Sequence, residues 1–363
     1  MGIRAQSLIF CLAASLGVSA SARADQAPAP AAASLLECRD GVEMGTPFRI
    51  CVVVEPEQRL HFEMDLSRAF RRIRDINNWM SEWQPSTELS KVNAAAGARA
   101  EVVRKELFEV VRETLEIAKL SSGALDPTFN ALWGLYNFKA GEHRSPTDQE
   151  LAERLPLIDY KAVELEPTQL SIRLKRPGMK LGLGAVGQGY AVDAVVEDLK
   201  RRGYTGGYVD GSGDTRFWGT KPDGALWMTG VRDPRDKDRV ITRIYGTDFA
   251  VTSCGDDEKF FFKSGERIHH IIDPRTGRSA RQSRQVTVVA PTAFLADAWD
   301  TAAFVMGPTA AKKQLEALGL DAVMVDFKGN VTITKGLSLK KDPRWGAAHL
   351  WTRRASPDSN RSL

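Results

Sequence analysis

Along this chain, short apolar runs alternate with longer stretches in which apolar residues recur every three or four positions, the two periods of strand and amphipathic helix. Residues 47–54 read as a strand, and residues 58–83 as a long helix that turns Leu66, Phe70, Ile73, Ile76 and Met80 inward. Residues 102–120 form a second helix, stopped by Ser121-Ser122-Gly123. Residues 126–138 mix aromatic side chains with glycine and suggest a short helix and a loop. Residues 161–166 and 170–174 suggest a hairpin through Pro167 that feeds a strand at 179–183, followed by a helix over 190–202. Short strands follow at 208–210, 215–218, 226–231, 240–245, 249–252, 268–272 and 285–289. Helices at 293–306 and 309–318 and a final hairpin at 322–334 complete the pattern. Without an internal repeat or linker, this order predicts one α+β domain of mixed, largely antiparallel strands with packed helices, over residues 35–340.

The ends of the chain read differently. Arg4, the apolar stretch 7–20 and the small-x-small run Ala22-Arg23-Ala24 outline an export signal over residues 1–24. The apolar part is too short for a convincing membrane span. Residues 25–34, rich in Ala and Pro, suggest a flexible leader, and residues 341–363 a C-terminal tail with a solvated Arg-rich end. Loss of Arg4 and Arg23 lowers the formal charge from +4 to +2. Such near balance argues against a nucleic-acid-binding surface. The expected compartment is outside the cytoplasm, in the periplasm.

Of four cysteines, Cys11 lies in the signal and Cys38, Cys51 and Cys254 remain. Cys38 and Cys51 flank Met44-Gly45 symmetrically, so a hairpin turning there sets them opposite each other, as a disulfide or as two small buried hydrophobes. No Cys/His spacing suggests zinc.

The chemistry concentrates in a few places. The segment Ala293–Met306 is apolar on nearly every face, yet Asp297, Asp300 and Thr301 fall at i, i+3 and i+4 and share one side. Two carboxylates held against a core repel each other and lose hydration, which protonation or a cation relieves. Oxygen ligands favour a hard ion, Mg²⁺ or Ca²⁺. The alternative is a polar edge that faces solvent or caps a neighbour. Gly182-Leu183-Gly184-Ala185-Val186-Gly187 spells G-x-G-x-x-G before a helix. It sits in mid-chain with no second βαβ unit, which makes a nicotinamide-binding fold the weakest reading. The glycines let backbone groups approach phosphate or metal, or simply allow close packing. His269 and His270 lie on a strand, so only one can face a given cleft, where an imidazole can act as a base.

Taken in order, Met44-Gly45-Thr46, the S-x-x-LSKVN run from Ser86 to Asn93, Gly123-Ala124-Leu125-Asp126-Pro127-Thr128, the GAVGQGYAVD run from Gly184 to Asp193, His269-His270-Ile271-Ile272-Asp273-Pro274-Arg275-Thr276-Gly277 and the ADAWDTA run from Ala296 to Ala302 resemble the FAD:protein FMN transferase family, the ApbE-type flavinyltransferases. The resemblance implies a T-fold-like α+β architecture and an exported or membrane-anchored enzyme. It also implies transfer of FMN from FAD to a Thr or Ser hydroxyl of a partner protein, with release of AMP and with Mg²⁺ as cofactor. The acceptor would be a flavoprotein of a membrane or periplasmic electron-transfer system. By position the resemblance makes Asp297, Thr301 and the Ala185 carbonyl the metal ligands, with Asp300 beside them. It places Met44, Trp83, Ala124, Leu125, Asp126 and Ile271 against FAD, and makes His270 the base.

Three departures stand out. Gly182 replaces a common Asp, Gln188 replaces a common Lys, and Cys254 interrupts the usual Thr-Ser-Gly run. Two contacts to the nucleotide are thereby lost. An FAD pyrophosphatase giving FMN and AMP, or a non-catalytic periplasmic flavin binder, are the alternatives that this leaves.

Overall fold

A computed structural model describes residues 33–342 and 346–351. The expected signal 1–24, nearly all of the leader and the Arg-rich end at 353–363 lie outside these residues.

Eight strands form the main sheet, in the order Leu35–Glu43, Thr46–Val54, Gly207–Gly211, Asp214–Trp218, Phe249–Gly255, Ser283–Ala290, Asp321–Asp326 and Val331–Ile333. Every neighbouring pair runs antiparallel. That pattern excludes the parallel βαβ sheet of a nicotinamide-binding fold and confirms the α+β class. The first hairpin turns at Met44 and Gly45, both at positive φ, and its register sets Cys38 opposite Cys51. The two are joined by a disulfide.

One face of this sheet carries the helices. Phe62–Met80 buries Leu66, Ile73, Ile76, Trp79 and Met80, a stripe at helical spacing. It is shorter than the apolar pattern of 58–83 suggested, because Pro56–Gln58 forms a separate 3₁₀ turn and the chain becomes extended at Ser81. The helix Ala293–Met306 packs on the strands Phe249–Gly255 and Ser283–Ala290 and against the helix Gly187–Arg201. It buries eleven of its fourteen residues, so neither of its acids lies on a solvent edge. Asp193 fixes its start: the carboxylate accepts the backbone N–H groups of Ala293 (2.9 Å) and Phe294 (2.8 Å) and is held by Arg216. The N-cap Thr292 accepts a further N–H from Leu295. Gly189 permits the close approach of the two helices, since a Cβ there would lie 2.4 Å from the Ala293 carbonyl oxygen.

Three expectations need correction. Residues 179–183 are not a strand and make a single bridge between Lys180 and Phe129. Side chains hold this segment instead: Asn93 accepts from Leu181 N and, with Asn130, donates to its carbonyl. Residues 268–272 break after His269, and a short pair begins at Ile272. Paired structure also continues past residue 340 into the segment read as tail. The strands Ser338–Asp342 and Gly346–Leu350 extend a second sheet with Asp236–Gly246 and Trp227–Asp233, in which Gly346–Leu350 runs parallel to Asp236–Gly246.

Candidate active site

Asp297 and Asp300 stand on the buried helix as the spacing predicted, and a third acid that sequence reading missed joins them. Asp214 opens the strand Asp214–Trp218 after the tight turn Ser212-Gly213. One carboxylate oxygen from each of the three lies within 4.8 Å of the others. Asp297 accepts the Gly189 N–H at 3.1 Å. Asp300 accepts the Thr301 hydroxyl at 3.2 Å and is faced by Thr252 and Cys254.

Burial first, and then mutual repulsion, raises the acids. Desolvation pushes Asp297 up to about 7, with Asp193 adding to it and the Gly189 N–H opposing it. Asp300 is raised well above its ordinary value by burial and then by Asp297, and Asp214 by burial and then by both neighbours. Three crowded carboxylates hold protons at neutral pH unless a cation takes their place. The donors are carboxylate and hydroxyl oxygens, a set suited to a hard divalent ion. Cys254 is the one soft atom at the edge, and burial and Asp300 keep its thiol protonated.

The glycine turn borders this cluster. Ala185 lies in the turn just ahead of the helix that begins at Gly187. Gly182 donates its N–H to the Pro127 carbonyl at 2.8 Å. The turn is thereby tied to residues 124–128, where Ala124 and Leu125 are buried. Asp126 is occupied within that turn, accepting from Thr128 N and Oγ1 and from Tyr160 N. Met44 reaches the same region, since its methyl group is 3.8 Å from a Cβ built on Gly187. Two of the three departures have defined surroundings. A Cβ at Gly182 would lie 2.9 Å from the Asn130 Cβ, so Asn130 fills the space of the missing acid, and Gln188 donates to the Gly211 carbonyl.

Trp83 is exposed and packs edge-on against Trp133, with ring centroids 3.8 Å apart. The two indoles line a cleft of about 350 Å³ with Glu82, Asn130 and Lys180. Glu82 sits beside Gly184 and its carboxyl is raised by burial. The two histidines divide where the strand ends, at His269. His269 is buried, with Nε2 2.8 Å from the Ala280 carbonyl oxygen. The partly open His270 has Nε2 3.9 Å from a Glu258 oxygen. Burial, then Lys259 and His269, lower His270 to about 4. Glu258 in turn adds to the raised pKa of Asp214 and Cys254, which links the imidazole to the acid cluster. Ile271, next along, is buried in the main core.

An antiparallel α+β sheet thus carries a trio of acids suited to a hard cation and an aromatic cleft beside a glycine turn. The sequence model of the ApbE family matches residues 44–325, and the chain belongs to that family. A relative from Vibrio cholerae named FAD:protein FMN transferase is 29% identical over 293 residues, which cover 78% of this chain and 86% of the relative. One from Escherichia coli with the same name is 26% identical over 84% of this chain and 89% of its own length. The ApbE protein of Thermotoga maritima superposes with a TM-score of 0.76 at 29% identity, covering 83% of this chain and 97% of that one. The flavin transferase ApbE of Vibrio cholerae gives a TM-score of 0.73 at 25% identity over 83% and 98% of the two chains.

Proposed function

We propose that this protein is an Mg²⁺-dependent FAD:protein FMN transferase that moves FMN from FAD to a Thr or Ser hydroxyl of an exported or membrane electron-transfer protein and releases AMP. The convergence of Asp214, Asp297 and Asp300 carries this reading. Asp297, Asp300, Thr301 and the Ala185 carbonyl, with Asp214 as an added acid, would hold the ion. When bound, Mg²⁺ supplies positive charge to the diphosphate as the bond to AMP breaks.

The chain's own groups perform the rest. Trp83 and Trp133 offer flat apolar faces to an aromatic ring, flavin or adenine. Backbone groups of the glycine turn approach the phosphates without side-chain obstruction. Burial keeps His270 neutral above about pH 4, ready to take the proton of the incoming hydroxyl. Glu258, 3.9 Å away, favours the imidazolium that forms. The Cys38–Cys51 disulfide supports an oxidising, exported location, and an acceptor embedded in a membrane would bring the protein close to that surface.

Product analysis tests the reading. The mature protein is incubated with FAD, Mg²⁺ and a Thr-bearing acceptor domain, and AMP and the acceptor mass are followed. AMP together with a flavin-phosphate mass on the acceptor supports transfer. AMP with free FMN identifies a pyrophosphatase, and bound FAD without AMP identifies a flavin carrier.

A further inference from the structure

Three separate elements deliver the groups of the cation site: the helix Gly187–Arg201 with the turn ahead of it, the strand Asp214–Trp218, and the helix Ala293–Met306. One ion pair ties all three together. Arg216 stands two residues after Asp214, so both side chains leave the strand on the same face. Its guanidinium donates to Asp193 at 2.9 Å and to Glu197 at 2.7 Å, one turn apart on the first helix. The Asp193 carboxylate in turn accepts the Ala293 and Phe294 N–H groups that open the second helix. The side chains of Arg216 and Asp193 are only 12% and 15% exposed, so water competes little for either.

The two helices are thus joined by two rungs. Asp193 holds Ala293, and one turn along each helix the Gly189 N–H holds Asp297 at 3.1 Å. With the Gly189 rung alone, the second helix can pivot and carry Asp300 away from Asp214. Ion size makes that placement matter: Mg²⁺ demands near-octahedral oxygens at about 2.0–2.1 Å, whereas Ca²⁺ accepts flexible geometry at about 2.3–2.6 Å. We propose that Asp193 and Arg216 are positioning residues that set the spacing of Asp214 from Asp297 and Asp300, and thereby how well the site fits Mg²⁺ relative to the larger Ca²⁺. This rests on the cation reading of the acid cluster; neither FAD nor the acceptor enters it.

Two conservative variants test the pair, so a folding defect in one leaves the other to decide. Arg216→Lys keeps the charge but loses the planar fork that reaches two acids, and Asp193→Asn keeps only one acceptor. Asp65→Asn serves as the control for lost stability alone, since its carboxylate joins Arg68, Arg202 and Tyr204 away from the acid cluster. The full chain and the three variants are titrated at pH 8 with Mg²⁺ alone or Ca²⁺ alone by calorimetry, with urea unfolding in EDTA alongside. The expected result for the first two is a loss of roughly tenfold or more in Mg²⁺ affinity, the scale for groups that orient metal ligands, and a clearly smaller loss for Ca²⁺. Asp65→Asn should keep the wild-type ratio of the two affinities. Unchanged Mg²⁺ affinity, equal losses for both ions, or the same change of ratio in Asp65→Asn overturns the positioning role alone. A wild type that binds neither ion overturns the cation reading and this role with it.

Discussion

Replacing Asp297 with Asn gives a sharp test of the crowded acids. Burial moves Asp297 from 3.8 to about 7. At about 1.4 kcal/mol per pH unit, that step opposes the metal-free fold by ~4 kcal/mol once the group is ionised. The sign follows from the direction of the shift: the native state holds the proton more tightly than the unfolded chain. The stabilising contribution is therefore complete below pH 3.8 and is lost as pH rises through about 7. Asp300 and Asp214, also raised, act in the same direction. In EDTA the wild type should lose stability between pH 5 and 8 more steeply than Asp297→Asn, and the variant should be the more stable at pH 8. Adding Mg²⁺ at pH 8 should reverse the order, because only the wild type keeps the full set of carboxylates. Urea unfolding followed by tryptophan fluorescence, at three pH values with EDTA or Mg²⁺, measures this directly. Equal pH slopes in EDTA, or equal gains from Mg²⁺, would refute the reasoning.

Three further outcomes follow from other parts of the molecule. His270→Ala should slow transfer far more than it weakens FAD binding, and the wild-type rate at saturating Mg²⁺ should show no inflection near pH 6.5, since His270 titrates at about 4; a proportional loss of binding and rate would remove the base assignment. Trp83→Ala should weaken FAD binding by roughly tenfold, the scale of one lost aromatic stack, read by fluorescence titration. Reduction of Cys38–Cys51, which are 13 residues apart, should destabilise the fold by about 3 kcal/mol in chemical denaturation, with an unchanged transition taken as evidence against a structural role.

The acid helix was legible in the sequence because its apolar surroundings isolate Asp297, Asp300 and Thr301, and a carboxylate pair inside a core has few physical explanations. That Cys38 and Cys51 face each other was legible because a two-residue turn fixes cross-strand register, but whether they were bonded or merely buried was settled only by the structure. Asp214 was not, because it reaches the cluster from a hairpin distant in the chain and nothing local marks which way that hairpin faces. Residues 179–183 misled because β-like apolar alternation says nothing about hydrogen-bond partners, and Asn93 and Asn130 take the backbone groups of Leu181 that a neighbouring strand would otherwise pair. The space behind Gly182 could be read only once Asn130 was placed.

The central claim is that the buried Asp297 and Asp300, with the half-buried Asp214, grip a divalent ion against a diphosphate. Anomalous diffraction from crystals soaked in Mn²⁺ and FAD tests it most directly. A single manganese peak is expected among Asp214, Asp297, Asp300 and the Ala185 carbonyl, with a phosphate oxygen in its coordination shell and the flavin nucleotide extending toward Trp83. Bound FAD with no anomalous peak among those acids would contradict the claim.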